Sequence, residues 1–283
     1  MMHSQRSIVF ESSWIGAIAL FAGLTLSSGS ATGQTAETID TTSFRVCADP
    51  NNLPFSNEKA EGFENKIAEL LASDLGVPVR YTWYPDSTGF IRSTLNARRC
   101  DIIMGTVAGN ELVQNSNPYY RSTYALVYRA DRGLTVKTLD DPVLKTLKIG
   151  AIAGTPPTTI LATEGLLGNL QSYQLVVDTR YDHPGEQMVH DVAAGTIDIG
   201  MLWGPIAGFY AKQESRPLSV VALESTNTPM QMDYRITMGV RHNEPEWKRK
   251  INNLIRKHQA DINKILSDYG VPLLDDQGKP LTQ

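Results

Sequence analysis

The sequence predicts an α/β fold in two lobes that are joined by two crossing segments. Strand patterns alternate with helical patterns in the first part of the chain, and the alternation restarts at Lys148 after a stretch without a sustained hydrophobic period. A second such stretch precedes a last strand and a long amphipathic helix. The predicted boundaries are 37–130 for the first lobe, 131–147 for the crossing, 148–224 for the second lobe, and 225–283 for the return crossing and C-terminal helix.

The first lobe begins with a strand, a loop and a helix in residues 44–76. Phe44–Ala48 has the aromatic and β-branched residues of a strand, and apolar residues recur at helical spacing from Phe63 until Gly76 closes the helix. A polar loop separates the two elements. In a parallel sheet such a loop lies beyond the carboxyl end of its strand, where ligands collect. We therefore expect this loop to form the floor of a binding cleft.

The other predicted elements of the first lobe follow in chain order. Runs rich in aromatic and β-branched residues predict strands at 79–84, 101–106 and 119–129, and a short helix is predicted at 87–97. A polar loop precedes the last of these strands. The pattern is that of strands and helices wound into one sheet.

The second lobe repeats this alternation. Its predicted strands are 148–154, 174–178, 197–202 and 218–223, and its predicted helices are 156–165, 185–194 and 205–213. The chain then returns through 224–234 to a strand at 235–241. A helix at 246–269 has apolar residues spaced three and four apart and should dock on the first lobe. Its basic faces are either solvated or a docking surface for an acidic protein.

The N-terminus has the pattern of a secretory signal peptide. Trp14 to Leu26 is uncharged and apolar but shorter than the roughly 20 residues of a membrane span, and small polar residues follow it. We predict a signal peptide at 1–36, with cleavage between Gly33 and Ala36, and an uncleaved anchor is the alternative. The mature chain is expected to be exported, without a membrane span.

Composition and motifs exclude several classes of function. The 283-residue chain has a net charge of −4 and scattered Lys and Arg residues, which disfavours nucleic-acid binding. It has no GxSxG, HExxH or P-loop motif, so no enzyme and no cofactor is predicted. A dehydratase that uses Asp49 or Glu64 as its acid is the remaining catalytic alternative. No metal is predicted, because the acidic ligands near Asp49, Asn51 and Asn52 are too few.

The two cysteines are candidates for a disulfide. Cys47 lies in the first strand and Cys100 directly precedes the strand at 101–106, so the pair can bridge if these strands are neighbours. In the chain-entropy model, closing that loop stabilises the fold by roughly 4 kcal/mol. Two buried free thiols are the alternative.

Several long blocks of this chain resemble the MxaJ/XoxJ proteins. These blocks, in order, are CADPNNLPFSN, GFENKIAELLA, RCDIIMG, NPYYRSTYALVYR and DIGMLWGPIAGFYA. The resemblance implies the type 2 periplasmic binding protein fold and a periplasmic location. It also implies association with a pyrroloquinoline-quinone (PQQ)-dependent methanol or alcohol dehydrogenase, with the cytochrome c of that dehydrogenase as a further candidate partner. The resemblance thus implies a non-catalytic accessory role in maturation or activation of the dehydrogenase.

The chain departs from the amino-acid binders of that fold. Those proteins are expected to grip a carboxylate with an Arg after the third strand and an ammonium with an acid in the second lobe. Here the first position offers Val107 to Asn110, with Glu111 as the only charge nearby, and the second offers Trp203. A small ligand other than an amino acid, delivered to a transporter, is therefore the second functional hypothesis.

The candidate cleft residues are aromatic or polar and follow the predicted strands. They predict an aromatic, uncharged cleft, which could stack a flat ligand or accept a loop of a partner protein. Ser56 is expected at its mouth, where tryptophan should block binding without lowering the melting temperature. The candidate residues are Asp49, Asn51, Asn52, Phe55, Phe63, Tyr119, Tyr120, Thr155 and Trp203.

Overall fold

The computed structural model describes residues 38–223 and 230–281. The predicted signal peptide at 1–36 and the start of the return crossing, 224–229, lie outside the described residues. Within the described part, no helix is long and apolar enough to cross a membrane.

The first lobe is a mixed sheet with helices on its faces. Strand β1 (Phe44–Ala48) is followed by a small hairpin, β2 (Asn51–Asn52) and β3 (Ser56–Asn57), and by helix α1 (Phe63–Leu75). The lobe continues with β4 (Val79–Trp83), α2 (Phe90–Ser93), β5 (Ile102–Val107), β6 (Gln114–Asn115) and β7 (Tyr120–Arg129). Strand β1 pairs in parallel with β4 and β5. As predicted, Gly76 ends α1 in the left-handed conformation, with φ of 68°.

The second lobe has the same construction. Its elements are β8 (Ile149–Ile152), α3 (Pro156–Thr163), β9 (Leu170–Tyr173), α4 (Pro184–Ala194), β10 (Ile199–Trp203), α5 (Gly204–Gln213) and β11 (Leu218–Ala222). Strands β9, β8 and β10 are parallel neighbours, and β7 lies antiparallel between β10 and β11. Apolar residues of both sheet faces form two buried clusters around Leu126 and Val127.

The chain then returns to the first lobe. Strand β12 (Asp233–Val240) lies antiparallel between β5 and β7, and helices α6 (Pro245–Lys257) and α7 (Gln259–Asp268) pack against the first sheet. Their apolar residues Ile251, Leu254 and Ile262 join the main core, which confirms the docking predicted for the C-terminal helix. The single predicted helix is two helices, because the backbone bends at His258 (φ −107°, ψ 17°).

The crossing between the lobes lies inside β7 and not at 131–147. The first half of β7 pairs with β12 in the first lobe, and its second half, from Tyr124, pairs with β10 and β11 in the second. Residues of 131–147 belong to the second lobe, since Val136, Leu139 and Leu144 are buried in its core. A ten-residue strand is about 33 Å long, which is enough to pair with strands of both lobes. The sequence pattern of a strand does not show that its pairing partners change along its length.

The lobes also contact each other where α5 meets the turn after α7. A Cβ atom on Gly208 would lie 1.8 Å from the carbonyl oxygen of Gly270, so only glycine permits this approach. Phe209 stacks on Tyr269 with ring centroids 5.7 Å apart, and Lys212 donates to two carbonyl oxygens at the end of α7. This contact supports the wall of the cleft that both lobes share.

The predicted disulfide is present between Cys47 and Cys100, whose Cα atoms are 5.5 Å apart. Strands β1 and β5 are direct neighbours, as the prediction required. Both cysteines are buried in a small cluster with Phe90, Leu95 and Ile103. The alternative of two free thiols is therefore excluded.

Candidate functional site

Two adjoining cavities lie between the lobes, beyond the carboxyl ends of β1, β5 and β10. The first has a volume of about 300 Å³ and the second about 410 Å³. Both are bordered by Asn52, Phe55, Asp86 and Trp203, so they form one continuous cleft. The strand order thus brings together loops that are far apart in the sequence, as expected for α/β sheets.

Most of the candidate residues border this cleft. Asp49 and Tyr120 line the first cavity, and Thr155 lines the second. Asn52, Phe55 and Trp203 line both. The remaining three, Asn51, Phe63 and Tyr119, line neither cavity among the described residues.

Phe63 and Tyr119 are core residues and not cleft residues. Phe63 is fully buried and packs edge-on against Phe55 and Tyr120, with centroids 5.4 Å and 6.1 Å away. The Tyr119 hydroxyl donates to the carbonyl oxygen of Met104, which satisfies it inside the core. These two side chains therefore hold the cleft wall from behind. The sequence pattern could not show that Phe55 and Tyr120 face the cleft whereas Phe63 and Tyr119 do not.

Asp49 and Asn51 connect the two lobes. The Asp49 carboxylate accepts hydrogen bonds from the backbone N–H of Asn51 (2.8 Å), from that of Asp86 (2.6 Å), and from the Thr179 hydroxyl (2.8 Å). The Asn51 amide donates to the carbonyl oxygens of Thr179 (3.1 Å) and Arg180 (3.4 Å). Thr179 and Arg180 belong to the second lobe, so these bonds hold the cleft closed in this structure.

The sequence suggested that Ser56 lies at the mouth of the cleft, but the structure buries this residue. It is 2% exposed, and its hydroxyl donates to the carbonyl oxygen of Asp49. Ser56 lines the first cavity from within the hairpin, and a tryptophan there would break this hydrogen bond and displace the residues packed around the serine. We therefore expect Ser56→Trp to lower the melting temperature, contrary to the expectation from the sequence.

Thr155 and Trp203 have packing roles beside their place in the cleft. The Thr155 hydroxyl donates to the carbonyl oxygen of Ile152 and does not cap α3. Trp203 is half-buried and packs edge-on against Tyr124 and Tyr234, at 5.5 Å and 5.8 Å. Its remaining surface borders both cavities, and Trp203 packs against the main core of the first lobe.

The cleft is not uncharged, because two further carboxyl groups lie in it. Glu64, in the first turn of α1, and Asp86, in the loop after β4, line the first cavity together with Asp49. Gly105 on β5 makes room for Glu64, since a Cβ atom there would lie 2.2 Å from its Oε1 atom. The sequence had suggested Glu64 only as a catalytic acid, and Asp86 was missed because its loop carries no motif.

The surroundings of Glu64 and Asp86 disfavour the charged forms of their carboxyl groups. Burial raises the pKa of Glu64 to about 8, and the charges of Asp86 and Asp49 add to this effect. Burial of the carboxyl and the charge of Asp49 raise the pKa of Asp86 to about 6. As a whole residue Asp86 is more exposed than Glu64, which agrees with its smaller shift in pKa. The cavity is therefore a site of mutual repulsion between carboxyl groups.

Glu64→Gln should stabilise the protein at alkaline pH. The folded-state pKa of about 8 lies above the ordinary value of 4.5, so between these values the folded chain binds more protons than the unfolded chain. The free energy of unfolding therefore falls as pH rises from 5 to 8. We expect Glu64→Gln to be more stable than the wild type by about 4 kcal/mol at pH 8.5 and by less than about 1 kcal/mol at pH 5. Urea unfolding at both pH values measures this, and an equal difference at the two values would contradict it.

The second cavity is more apolar, and part of its wall is the loop after β9. Residues 174–178 were predicted as a strand, but β9 ends at Tyr173 and these residues form the loop. Leu175, Val176 and Val177 line the cavity, and Val176 is 72% exposed. The apolar residues that suggested a strand are therefore cleft residues of the second lobe.

No metal centre is found in the described ranges 38–223 and 230–281. There, no group of three or more His, Cys, Asp or Glu side chains is arranged to hold a metal ion. Asp49, Glu64 and Asp86 line one cavity without meeting this condition. The walls of the cleft are aromatic, apolar and carboxyl groups.

The bilobal fold and the cleft between its lobes define a solute-binding protein. Residues 44–272 match the bacterial extracellular solute-binding proteins, family 3, and the chain belongs to this family. It is 42% identical to the periplasmic binding protein XoxJ from Methylobacterium extorquens AM1, with a TM-score of 0.71, over 82% of this chain and 100% of that chain. These findings confirm the predicted fold class.

Two further relatives carry related names. MxaJ from Methlophaga aminisulfidivorans MPT is 29% identical, with a TM-score of 0.73, over 82% of this chain and 100% of that chain. MoxJ of Paracoccus denitrificans is 30% identical over 251 residues, which are 83% of this chain and 90% of MoxJ. The resemblance found in the sequence blocks is thereby confirmed.

Proposed function

We propose that this protein is a periplasmic accessory protein of a PQQ-dependent methanol or alcohol dehydrogenase, and that it acts by binding and not by catalysis. The observation that carries the proposal is the similarity to XoxJ over the whole length of that chain. The signal-peptide pattern supports export to the periplasm. The dehydrogenase, or its cytochrome c, would be held during maturation or activation.

The form of the cleft suits a protein segment. Exposed apolar side chains lie at both edges: Val107 (46% exposed) on the first lobe, and Leu175 and Val176 on the second. Such residues at the rim of a cavity are typical of interaction sites. Between them, Trp203 and Tyr124 offer flat apolar surfaces to an inserted loop.

The second candidate is a solute-binding component that delivers a small ligand to a transporter. The two cavities, about 300 Å³ and 410 Å³, lie at the lower end of the range of small-molecule sites. The family also supports this role. The same bilobal clamp would then close around a free molecule.

A pull-down from periplasmic extract distinguishes the two candidates. The tagged mature protein is incubated with extract of alcohol-grown cells, and the bound proteins and small molecules are identified by mass spectrometry. Recovery of a quinoprotein dehydrogenase in amounts close to stoichiometric supports the accessory role. Recovery of a small ligand without the dehydrogenase supports the transporter role and overturns the first proposal.

Ser87→Trp should weaken capture of the dehydrogenase at least tenfold. Ser87 is exposed and lines the second cavity, so the indole can fill the cleft without disturbing the core. The control is Ser215→Trp, at an exposed serine that lines neither cavity. Surface plasmon resonance with the purified dehydrogenase measures both. Equal affinity of the two variants would place the interface outside the cleft.

A further inference from the structure

The lining of the first cavity contains three carboxyl groups and no basic side chain. Its lining includes the carboxyl groups of Asp49, Glu64 and Asp86, and no Lys, Arg or His side chain is part of it. The nearby Arg180 is paired with Asp178 at 2.6 Å. Within the part of the chain that the structure describes, the cavity therefore lacks a counter-charge of its own.

Two of the three carboxyl groups, those of Glu64 and Asp86, accept no hydrogen bond from a described residue. Asp49 accepts three hydrogen bonds, whereas no donor among the described residues bonds to the Glu64 carboxyl group. The Glu64 side chain lies over Gly105 in the cavity wall, and burial raises its pKa to about 8. A buried carboxyl group without a donor costs free energy, and a cation in the cavity would remove that cost.

The walls of the cavity decide which kind of cation fits. The three carboxyl groups are not arranged to hold a metal ion. The other walls include aromatic side chains, which attract cations through their faces and also pack against alkyl groups. These walls are Phe55, Phe90, Tyr120 and Trp203. A volume of about 300 Å³ has room for a small amine or for the cationic end of a long side chain.

We propose that the first cavity binds an organic cation, an ammonium or guanidinium group on a short apolar stem, with Glu64 as its main partner and Asp86 as a second. The proposal rests on the binding role proposed for the cleft and names the chemistry that the cleft selects. The cation is either a free amine or a Lys or Arg side chain of a partner protein.

Calorimetric titration of the mature protein with matched cationic and neutral probes tests the proposal. The free probes are n-butylamine and 1-butanol, and the peptide-like probes are N-acetyl-lysine methylamide and N-acetyl-norleucine methylamide. We expect at least one amine to bind at least tenfold more tightly than its neutral partner. Tighter binding of butylamine indicates a free amine as the ligand, and tighter binding of the lysine amide indicates a protein side chain.

Three variants test the assignment to residues. Glu64→Gln should weaken binding of the amine at least tenfold, and Asp86→Asn should weaken it about threefold. Glu69→Gln is the control, because Glu69 lies on the same helix but is exposed and pairs with Lys66 outside the cavity. It should bind the amine as the wild type does. Melting curves confirm that each variant is folded.

Two results would overturn the proposal: no amine binds at millimolar concentration, or Glu64→Gln and Glu69→Gln bind the amine equally. The accessory role is measured separately, by capture of the dehydrogenase. If the dehydrogenase binds and no amine does, only the cation proposal fails. If an amine binds and the dehydrogenase does not, the accessory role fails and the cation site stands.

Discussion

Asp101→Asn should lower the free energy of unfolding by about 3–5 kcal/mol. Asp101 is 1% exposed, and its carboxylate accepts two hydrogen bonds from the guanidinium group of Arg45, both at 2.7 Å, and one from Arg241 at 2.6 Å. Arg241 also bonds to the buried Glu244 at 2.7 Å. Asparagine has the same shape but not the charge. The variant therefore leaves the buried Arg241 with Glu244 as its one remaining carboxylate partner of the two described above.

An exposed ion pair provides the control for the Asp101 prediction. Lys264 and Asp268 form a pair at 2.7 Å on the surface of α7, with both side chains more than half exposed. Asp268→Asn should change stability by less than about 0.5 kcal/mol, because water screens such pairs. Urea unfolding followed by circular dichroism measures both variants. A loss below 1 kcal/mol for Asp101→Asn would show that the buried network is not held together by its charges.

The network around Asp101 lies away from the cleft, so its loss should lower stability without changing binding. Asp101 precedes β5 and Arg241 follows β12, whereas the cleft lies at the opposite end of β5, beyond Val107. Folded Asp101→Asn protein should therefore bind the lysine or butylamine probe as the wild type does. The network fixes the base of the first lobe and takes no part in the cleft.

Local patterns were sufficient to predict most elements of the fold. The spacing of apolar residues in α1 and α4 and the β-branched runs of β1 and β5 specify these elements on their own. Two features depend on tertiary pairing and were therefore missed. Strand β7 changes partners between its two halves, and the apolar run at 174–178 serves the cleft and not a sheet.

The chemistry of the cleft was harder to predict than its location. Apart from Asp49, the candidate residues after the strands are aromatic or neutral, and they suggested an uncharged site. The charges come instead from Glu64 on a helix and Asp86 in a loop, and the chain folds both against the end of β5. The absence of a side chain at Gly105 brings Glu64 into the cavity. A glycine within a strand gives no such signal before its neighbour in the fold is known.

Removal of the disulfide should have the second large effect. It should lower the stability of the fold and also weaken binding in the cleft. Cys47 lines the first cavity, and the Cys47–Cys100 bridge joins β1 to the start of β5. Strand β1 leads into Asp49, and β5 ends at Val107. The bridge closes a loop with a sequence separation of 53 residues, for which the chain-entropy model gives about 4 kcal/mol. Replacing both cysteines by alanine should therefore lower the free energy of unfolding by about that amount.

Reduced wild-type protein is the control that separates the cross-link from packing. It keeps both sulfur atoms in the cluster around Leu95 and Ile103 but lacks the bond, so it should lose nearly as much stability as the double alanine variant. Urea unfolding with and without reductant measures both. A loss in the variant that far exceeds the loss on reduction would assign the effect to packing. Because the bridge anchors both strands that lead into the cavity, we also expect folded, reduced protein to bind the amine probe more weakly than oxidised protein.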